Sequence, residues 1–186
     1  MQKETESPLT IKTEHLDMVA ATLAHLDAEL ESPARLSALL EAIIPEGWPP
    51  GEYDRSAIEF FRACLAKNPE DAGWYGWYAI RRAERGQSAV VIAAGGYFGQ
   101  PLPDGTVEIG YSVLSEYRSC GYATEIVQAL VRRAFSIPKI TAVIAHTQVD
   151  NLPSIKVLER CGFTVAGPGK ESELVRYICS RPGIQA

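Results

Sequence analysis

Residues 117–135, YRSCGYATEIVQALVRRAF, set a glycine turn directly ahead of a helix with one apolar face. Ala123, Ile126, Val127, Leu130, Val131 and Ala134 recur at helical spacing, while Thr124, Glu125, Gln128, Arg132 and Arg133 fill the opposite side. Such a helix lays one stripe on a sheet. The alternating run TVEIGYSVL just before it predicts the strand that feeds it, ending near Leu114. The free N–H groups of the turn then project beyond the strand's end. Unpaired donors and the positive end of a helix dipole together favour an anion there. Gly121 allows close backbone approach, Ala123 does not obstruct it, Arg118 adds charge and Thr124 a hydroxyl. The plainer alternative is a strand-to-helix turn that merely needs a glycine.

The remaining chain supplies the sheet. WYGWYAIR and SAVVIAAGGYFG read as strands joined by RAERGQ, and QPLPDG is a turn ahead of TVEIGYSVL. After the central helix come a β-rich KITAVIAHTQ, a helix over 151–161 capped by Asn151 and closed by Gly162, and a last strand, ELVRYICS. Before residue 74 the pattern is mostly helical. HLDMVAAT suits a first strand, Thr22 caps LAHLDAEL, and Ser32–Pro33 opens a helix with Leu36, Leu39, Leu40 and Ile43 on one face. Asp54 caps another with Ile58, Phe61 and Leu65 aligned, and PEGWPPGEYD between them is a loop centred on Trp48. Residues 1–8 are polar and expected to fray. One domain over 1–186 is expected, with a helix-rich part at 9–72 and a sheet-and-helix part at 73–180, in a mixed α/β (α+β) layout around one sheet.

Charge and cysteine usage narrow the function classes. With 23 acidic and 18 basic residues the net charge is −5, which disfavours a nucleic-acid binder and is compatible with cationic amines. The four cysteines form no CxxC pair and have no histidine close by, against both a zinc site and a disulfide framework. Cys120, inside the turn, has no base near it in sequence and is expected to be a small filler rather than a nucleophile. His15, His25 and His146 show no metal spacing, and His146 is expected to be structural. Trp48, Tyr53, Trp74 and Trp77 are assigned to core or loop anchoring ahead of a substrate pocket. No apolar run reaches membrane-spanning length and no signal-peptide core is visible, so a soluble cytoplasmic protein is the expectation.

Arg-x-x-Gly-x-Ala between a strand and an apolar helix resembles the acetyl-CoA signature of the GNAT N-acetyltransferase superfamily. DNLPSIKVLERCGF, residues 150–163, resembles the helix that follows in that family. The phrases EIGY…YRxxGYATE and NxxSxxVLExxGF look most like the ribosomal-protein-acetyltransferase (RimJ/RimL-type) branch. The likeness covers residues 74–179 well and the earlier part loosely. It implies a mostly antiparallel sheet flanked by helices, with a V-shaped splay between the strands around 107–114 and 140–147. It also implies that the amides of Arg118, Ser119, Cys120, Gly121, Tyr122, Ala123 and Thr124 hold the pyrophosphate of acetyl-CoA, a co-substrate, with no metal.

By the same resemblance, acetyl passes directly to a primary amine of a protein N-terminus or a small molecule, with neither nucleic acid nor membrane as partner and a homodimer left open. The base would be Glu108, on the strand entering the turn. Alternation sets it opposite Val107, Ile109 and Tyr111, facing either solvent or a substrate cleft, unless a bulge upsets the parity. A backbone N–H at Val113 or Leu114 would meet the thioester oxygen, and Asn151 would contact the pantetheine arm as well as cap its helix. The family's tyrosine acid is replaced by Leu158; Ser154, one turn earlier, could substitute by bonding the sulfur, although a serine in a helix's first turn is more often a local cap. A non-catalytic acyl-CoA binding or sensing domain is the alternative function, for which Leu158 speaks and against which Glu108 speaks.

Overall fold

The computed structural model describes residues 8–84 and 86–183. Residues 1–7, where fraying was expected, and Arg85 of the 82–87 connection lie outside them. The chain runs β1 (Thr10–Lys12), β2 (Leu16–Ala20), α1 (Leu23–Glu31), α2 (Pro33–Leu40) and α3 (Arg55–Lys67), then β3 (Gly76–Arg81), β4 (Val90–Tyr97) and β5 (Thr106–Val113). It continues with α4 (Tyr122–Ser136), β6 (Ala142–Gln148), α5 (Leu152–Arg160), β7 (Thr164–Pro168) and β8 (Leu174–Ser180). One eight-stranded sheet results, in the order β1-β2-β3-β4-β5-β6-β8-β7. All pairings are antiparallel except β5 with β6.

That single parallel contact shapes the molecule. β5 meets β6 only over Thr106–Glu108, and beyond Glu108 it pairs with β4 alone, while β6 turns to β8. The sheet therefore forks after Glu108, which is the splay expected from the resemblance. The β4–β5 register runs unbroken from Tyr97↔Ile109 to Ala93↔Val113, so no bulge disturbs the alternation. Val107, Ile109 and Val113 enter the core with α4, while Glu108, Gly110 and Ser112 face the other side.

The helices pack on both faces. Ile126, Val127 and Leu130 of α4 are fully buried, each contributing about 1.5–3 kcal/mol. On the other face α1, α2 and α3 bury Leu26, Leu36, Ile58 and Leu65 against Tyr78, Ile80 and Val91. Two short strands, β1 and β7, escaped the sequence reading; both lie at sheet edges, and β7 is largely exposed, so neither carries a clear alternation. The helix opened by Ser32–Pro33 stops at Leu40, earlier than its apolar stripe suggested. A left-handed Glu41 turns the chain, and Ile43 instead bridges Val90 with its side chain half-exposed. No helix among the described residues is long and apolar enough to cross a membrane.

Candidate functional site

The described helices differ at their N-termini. Thr22, Ser32, Asp54 and Asn151 cap α1, α2, α3 and α5 through side-chain oxygens, whereas α4 starts at Gly121 with no side-chain cap. A cap is worth about 1 kcal/mol, less than any one of the three buried α4 side chains. Packing therefore holds α4 in position while its first donors stay open. Gly121 has φ +86°, a conformation that suits glycine, and a Cβ there would meet nothing within 4 Å. Ser119 is also left-handed, at φ 62°. Among the described residues, the N–H groups of 119–124 have no hydrogen-bond partner; the first turn closes only with Glu125 N–H to Gly121 O.

These donors face a cleft of about 630 Å³ between α4 and α5. Arg118, Ser119, Gly121, Tyr122, Ala123 and Thr124 line it from one side, Asn151 and Ser154 from the other, and Ser112 and Val113 from the strand. Lys156 and Arg160 of α5 join Arg118 there, and no carboxylate lines the cleft. The sequence reading missed both, because an amphipathic helix offers cations on its polar face without saying what that face meets. Glu125, in the first turn of α4, is turned away to Thr13 and to the backbone and ring of His15. Burial pushes its carboxyl up, but the hydrogen bonds from Thr13 and His15 outweigh this and hold it below its usual value. A chain with net charge −5 thus presents a cationic, donor-rich cleft suited to a polyphosphate. Cys120 is exposed, with its thiol on Arg118 O.

At the strand end the ladder separates the two candidate donors. Leu114 N–H bonds Ile92 O at 3.0 Å and is unavailable to a ligand. Val113, opposite Ala93 in the same ladder, is a non-hydrogen-bonded pair, so its N–H points into the fork. Its carbonyl accepts from Arg118 Nε at 3.1 Å, which anchors the turn to the strand. Asn151 Oδ1 accepts from Ser154 N–H at 3.2 Å, leaving its amide NH₂ at the cleft.

Leu158, at the position of the expected tyrosine, is buried in the core. A different tyrosine reaches the cleft. The Tyr111 hydroxyl lies 2.8 Å from Ser154 Oγ, bridging the strand to the first turn of α5. Burial pushes the Tyr111 phenol up to about 12 against the Ser154 hydrogen bond, so it keeps its proton near neutrality. The missed signal was the strand's own alternation, which aims Tyr111 at the α4–α5 side.

A second cavity, of about 100 Å³, opens on the other face of the sheet. Tyr111 and Ser112 line both cavities. Glu52 and Tyr53 from the 41–54 loop, Phe61 of α3, Phe98, and the glycines of β4 and β5 enclose it. Glu29 on α1 holds that loop by accepting from Trp48 Nε1 at 2.7 Å, Tyr53 OH at 3.0 Å and Tyr78 OH at 2.6 Å. Burial raises the Glu29 carboxyl, and the three donors pull it back. Trp48 is thus a loop anchor, Trp77 a core residue and Trp74 a cation–π partner of Arg133, whereas Tyr53 both anchors and lines.

Glu108 lines neither cavity. It sits where the sheet forks, with Oε1 2.9 Å from His146 Nδ1 and Oε2 2.5 Å from Lys170 Nζ. At about 3.3 Å per residue it is roughly 13 Å along the strand from Ser112, on the same face. The Phe98 ring, which a Cβ on Gly110 would approach to 2.9 Å, stands between them.

A family model described as an acetyltransferase (GNAT) domain matches residues 19–164. The uncharacterized N-acetyltransferase YjdG of Bacillus subtilis (strain 168) is 31% identical over 116 residues, which cover 62% of this chain and 66% of that protein, just under two thirds of its length. A putative ribosomal-protein-serine acetyltransferase from Vibrio cholerae superposes with a TM-score of 0.63 at 19% identity, covering 94% of this chain and 99% of that one. RimL, a ribosomal L7/L12 alpha-N-protein acetyltransferase solved in complex with coenzyme A, gives a TM-score of 0.64 at 19% identity, with coverage of 92% and 98%. At that identity the two structures speak for the fold alone.

Proposed function

Because the chain belongs to the GNAT acetyltransferase family, we propose that it transfers acetyl directly from the thioester of acetyl-CoA to a primary amine of a small molecule or a protein N-terminus. The observation that carries this is the junction at Tyr111 and Ser112, where a cationic cleft rich in free N–H donors meets a separate cavity on the opposite face. Two reactants entering from opposite faces would meet at the fork, where orientation alone can supply much of the barrier reduction.

The turn at 118–124, with Lys156 and Arg160, would hold the pyrophosphate, and the Asn151 amide the pantetheine arm. Val113 N–H is the donor for the thioester oxygen as it gains charge. An attacking amine must be neutral, against a pKa near 8 for an α-amino group or about 10.4 for lysine. Glu108 is the proposed base; since it lines neither cavity, it would take the proton through water while His146 and Lys170 fix its carboxylate. The paired hydroxyls of Tyr111 and Ser154 would donate to the departing sulfur. The thiol's own pKa, about 8.5, makes that help modest near neutral pH.

The test is free-thiol release by the purified chain with acetyl-CoA and a panel of primary amines, alongside calorimetry with coenzyme A. Release that depends on the amine, with product mass raised by one acetyl group, is expected. Tight coenzyme A binding with no amine-dependent release would replace the proposal by an acyl-CoA binding domain.

A further inference from the structure

The cavity opposite the coenzyme A cleft has a composition of its own. Its walls are aromatic, from Tyr53, Phe61 and Phe98, and its floor is cleared of a side chain at Gly110, where a Cβ would come within 2.9 Å of the Phe98 ring. Glu52 is the one carboxylate lining it and pairs with no cation among the described residues. The 41–54 loop brings Glu52 there by packing tightly on β5: a Cβ on Gly51 would come within 2.5 Å of Ser112 Oγ. The Glu29 clasp on Trp48 and Tyr53 fixes that loop from behind.

From this geometry, and resting on the acetyl-transfer reading above, we propose that the acceptor is a monocationic primary amine with one compact aromatic or branched apolar group. Its ammonium pairs with Glu52 on entry and gives up one proton, through water to Glu108, before the neutral nitrogen attacks; its apolar group lies among Tyr53, Phe61 and Phe98. Aromatic faces favour such a group and also tolerate the ammonium as it enters. The size fits: a cavity of 150 Å³ accepts benzene, so about 100 Å³ with an open mouth suits a ring or a branched alkyl group and little more. A polyamine fits poorly, because its chain exceeds a cavity of about 100 Å³ and its further ammonium groups find no second carboxylate in the lining. The amine nitrogen is then directed at Tyr111 and Ser112, the residues shared with the cleft.

The experiment compares 2-phenylethylamine, isobutylamine and spermidine as acceptors, by thiol release, in the wild-type chain and in Glu52→Gln and Phe98→Ala. Phe98 is 54% exposed, so its truncation leaves the core intact. Expected is a kcat/KM for 2-phenylethylamine about tenfold or more above that for spermidine. Glu52→Gln should raise KM for 2-phenylethylamine about tenfold with kcat nearly kept, the effect of losing a charged hydrogen-bond partner. Phe98→Ala should narrow the gap between the amines. Preference for spermidine, or an unchanged KM in Glu52→Gln, overturns the pocket assignment while acetyl transfer stands. Calorimetry of 2-phenylethylamine on coenzyme A-loaded protein separates the two ideas. Glu52-dependent binding without thiol release from any amine would keep the pocket and overturn acetyl transfer instead.

Discussion

The two cavities that meet at Tyr111 and Ser112 are built by opposite means. The cleft proposed for coenzyme A takes its donors largely from main chain, in the turn 118–124 at the start of α4, and is joined by side chains along α5 from Asn151 to Arg160. The cavity proposed for the acceptor is lined by a loop, a helix and two strands far apart in sequence. Backbone donors recognise phosphate whatever the neighbouring side chains are, so the part of the cleft made by the 118–124 turn depends on conformation. The acceptor cavity depends on residue identity, and a single ring or carboxylate can change what enters.

The contrast breaks most sharply at Gly121. A β-branched residue at φ +86° is strained by about 1–3 kcal/mol and projects into the space the phosphate needs. Gly121→Val should therefore weaken coenzyme A binding about a hundredfold or more, roughly 2.7 kcal/mol. Calorimetry returning wild-type affinity would remove the turn from the phosphate site.

Glu108→Gln tests whether the fork serves both cavities. General-base catalysis contributes about 10²–10⁴-fold, and a base acting through water belongs at the low end, so kcat should fall about a hundredfold with coenzyme A affinity intact. Part of that loss should return at higher pH, as more amine is neutral. An unaltered pH–rate profile would assign proton removal elsewhere, with Glu52 the next carboxylate to examine.

Ser154→Ala sharpens the picture of the junction. Because the thiolate leaves readily, turnover should drop about tenfold or less, or some 1.4 kcal/mol of barrier. Tyr111→Phe should cost a similar amount, and the double variant less than the product of the two, since the hydroxyls act as one pair. A loss near a thousandfold from Ser154→Ala alone, with cofactor affinity kept, would make Ser154 the dedicated acid.

The smallest effect concerns the device that keeps negative charge out of the cleft. The hydrogen bond to Glu125 raises His15 above its ordinary 6.5. A raised folded value means that the pair's stabilisation is full below 6.5 and fades as pH rises through the folded value. A small fall in Tm over that window is expected, absent in His15→Ala; the same slope in the variant would show that His15 is not its source.

How far the sequence spoke depends on how local each feature is. The Arg118–Thr124 turn and the capped helices were legible because short-range sterics and hydrogen bonds fix them within a few residues. Lys156 and Arg160 were visible as cations but not as cleft residues, since only the packing of α5 beside α4 decides what their face meets. Glu108 was named as a base from the resemblance, which points to a glutamate on the strand entering the turn. Its engagement with His146 and Lys170, 38 and 62 residues away, follows from β6 and β8 pairing beside it. The choice of Val113 over Leu114 as free donor came from ladder phase, which a lone strand does not carry.

The sequence by itself determined the order of elements, the glycine start of α4 and the open backbone donors of its first turn, because backbone conformation there is set by contiguous residues. Tertiary structure alone decided that β5 and β6 part after Glu108, that Tyr111 reaches Ser154 across 43 residues, and that Glu29 holds Trp48 and Tyr53 of the loop whose Glu52 lines the aromatic cavity. Those features are convergences of side chains, and convergence is fixed by sheet register and helix packing rather than by any stretch of chain.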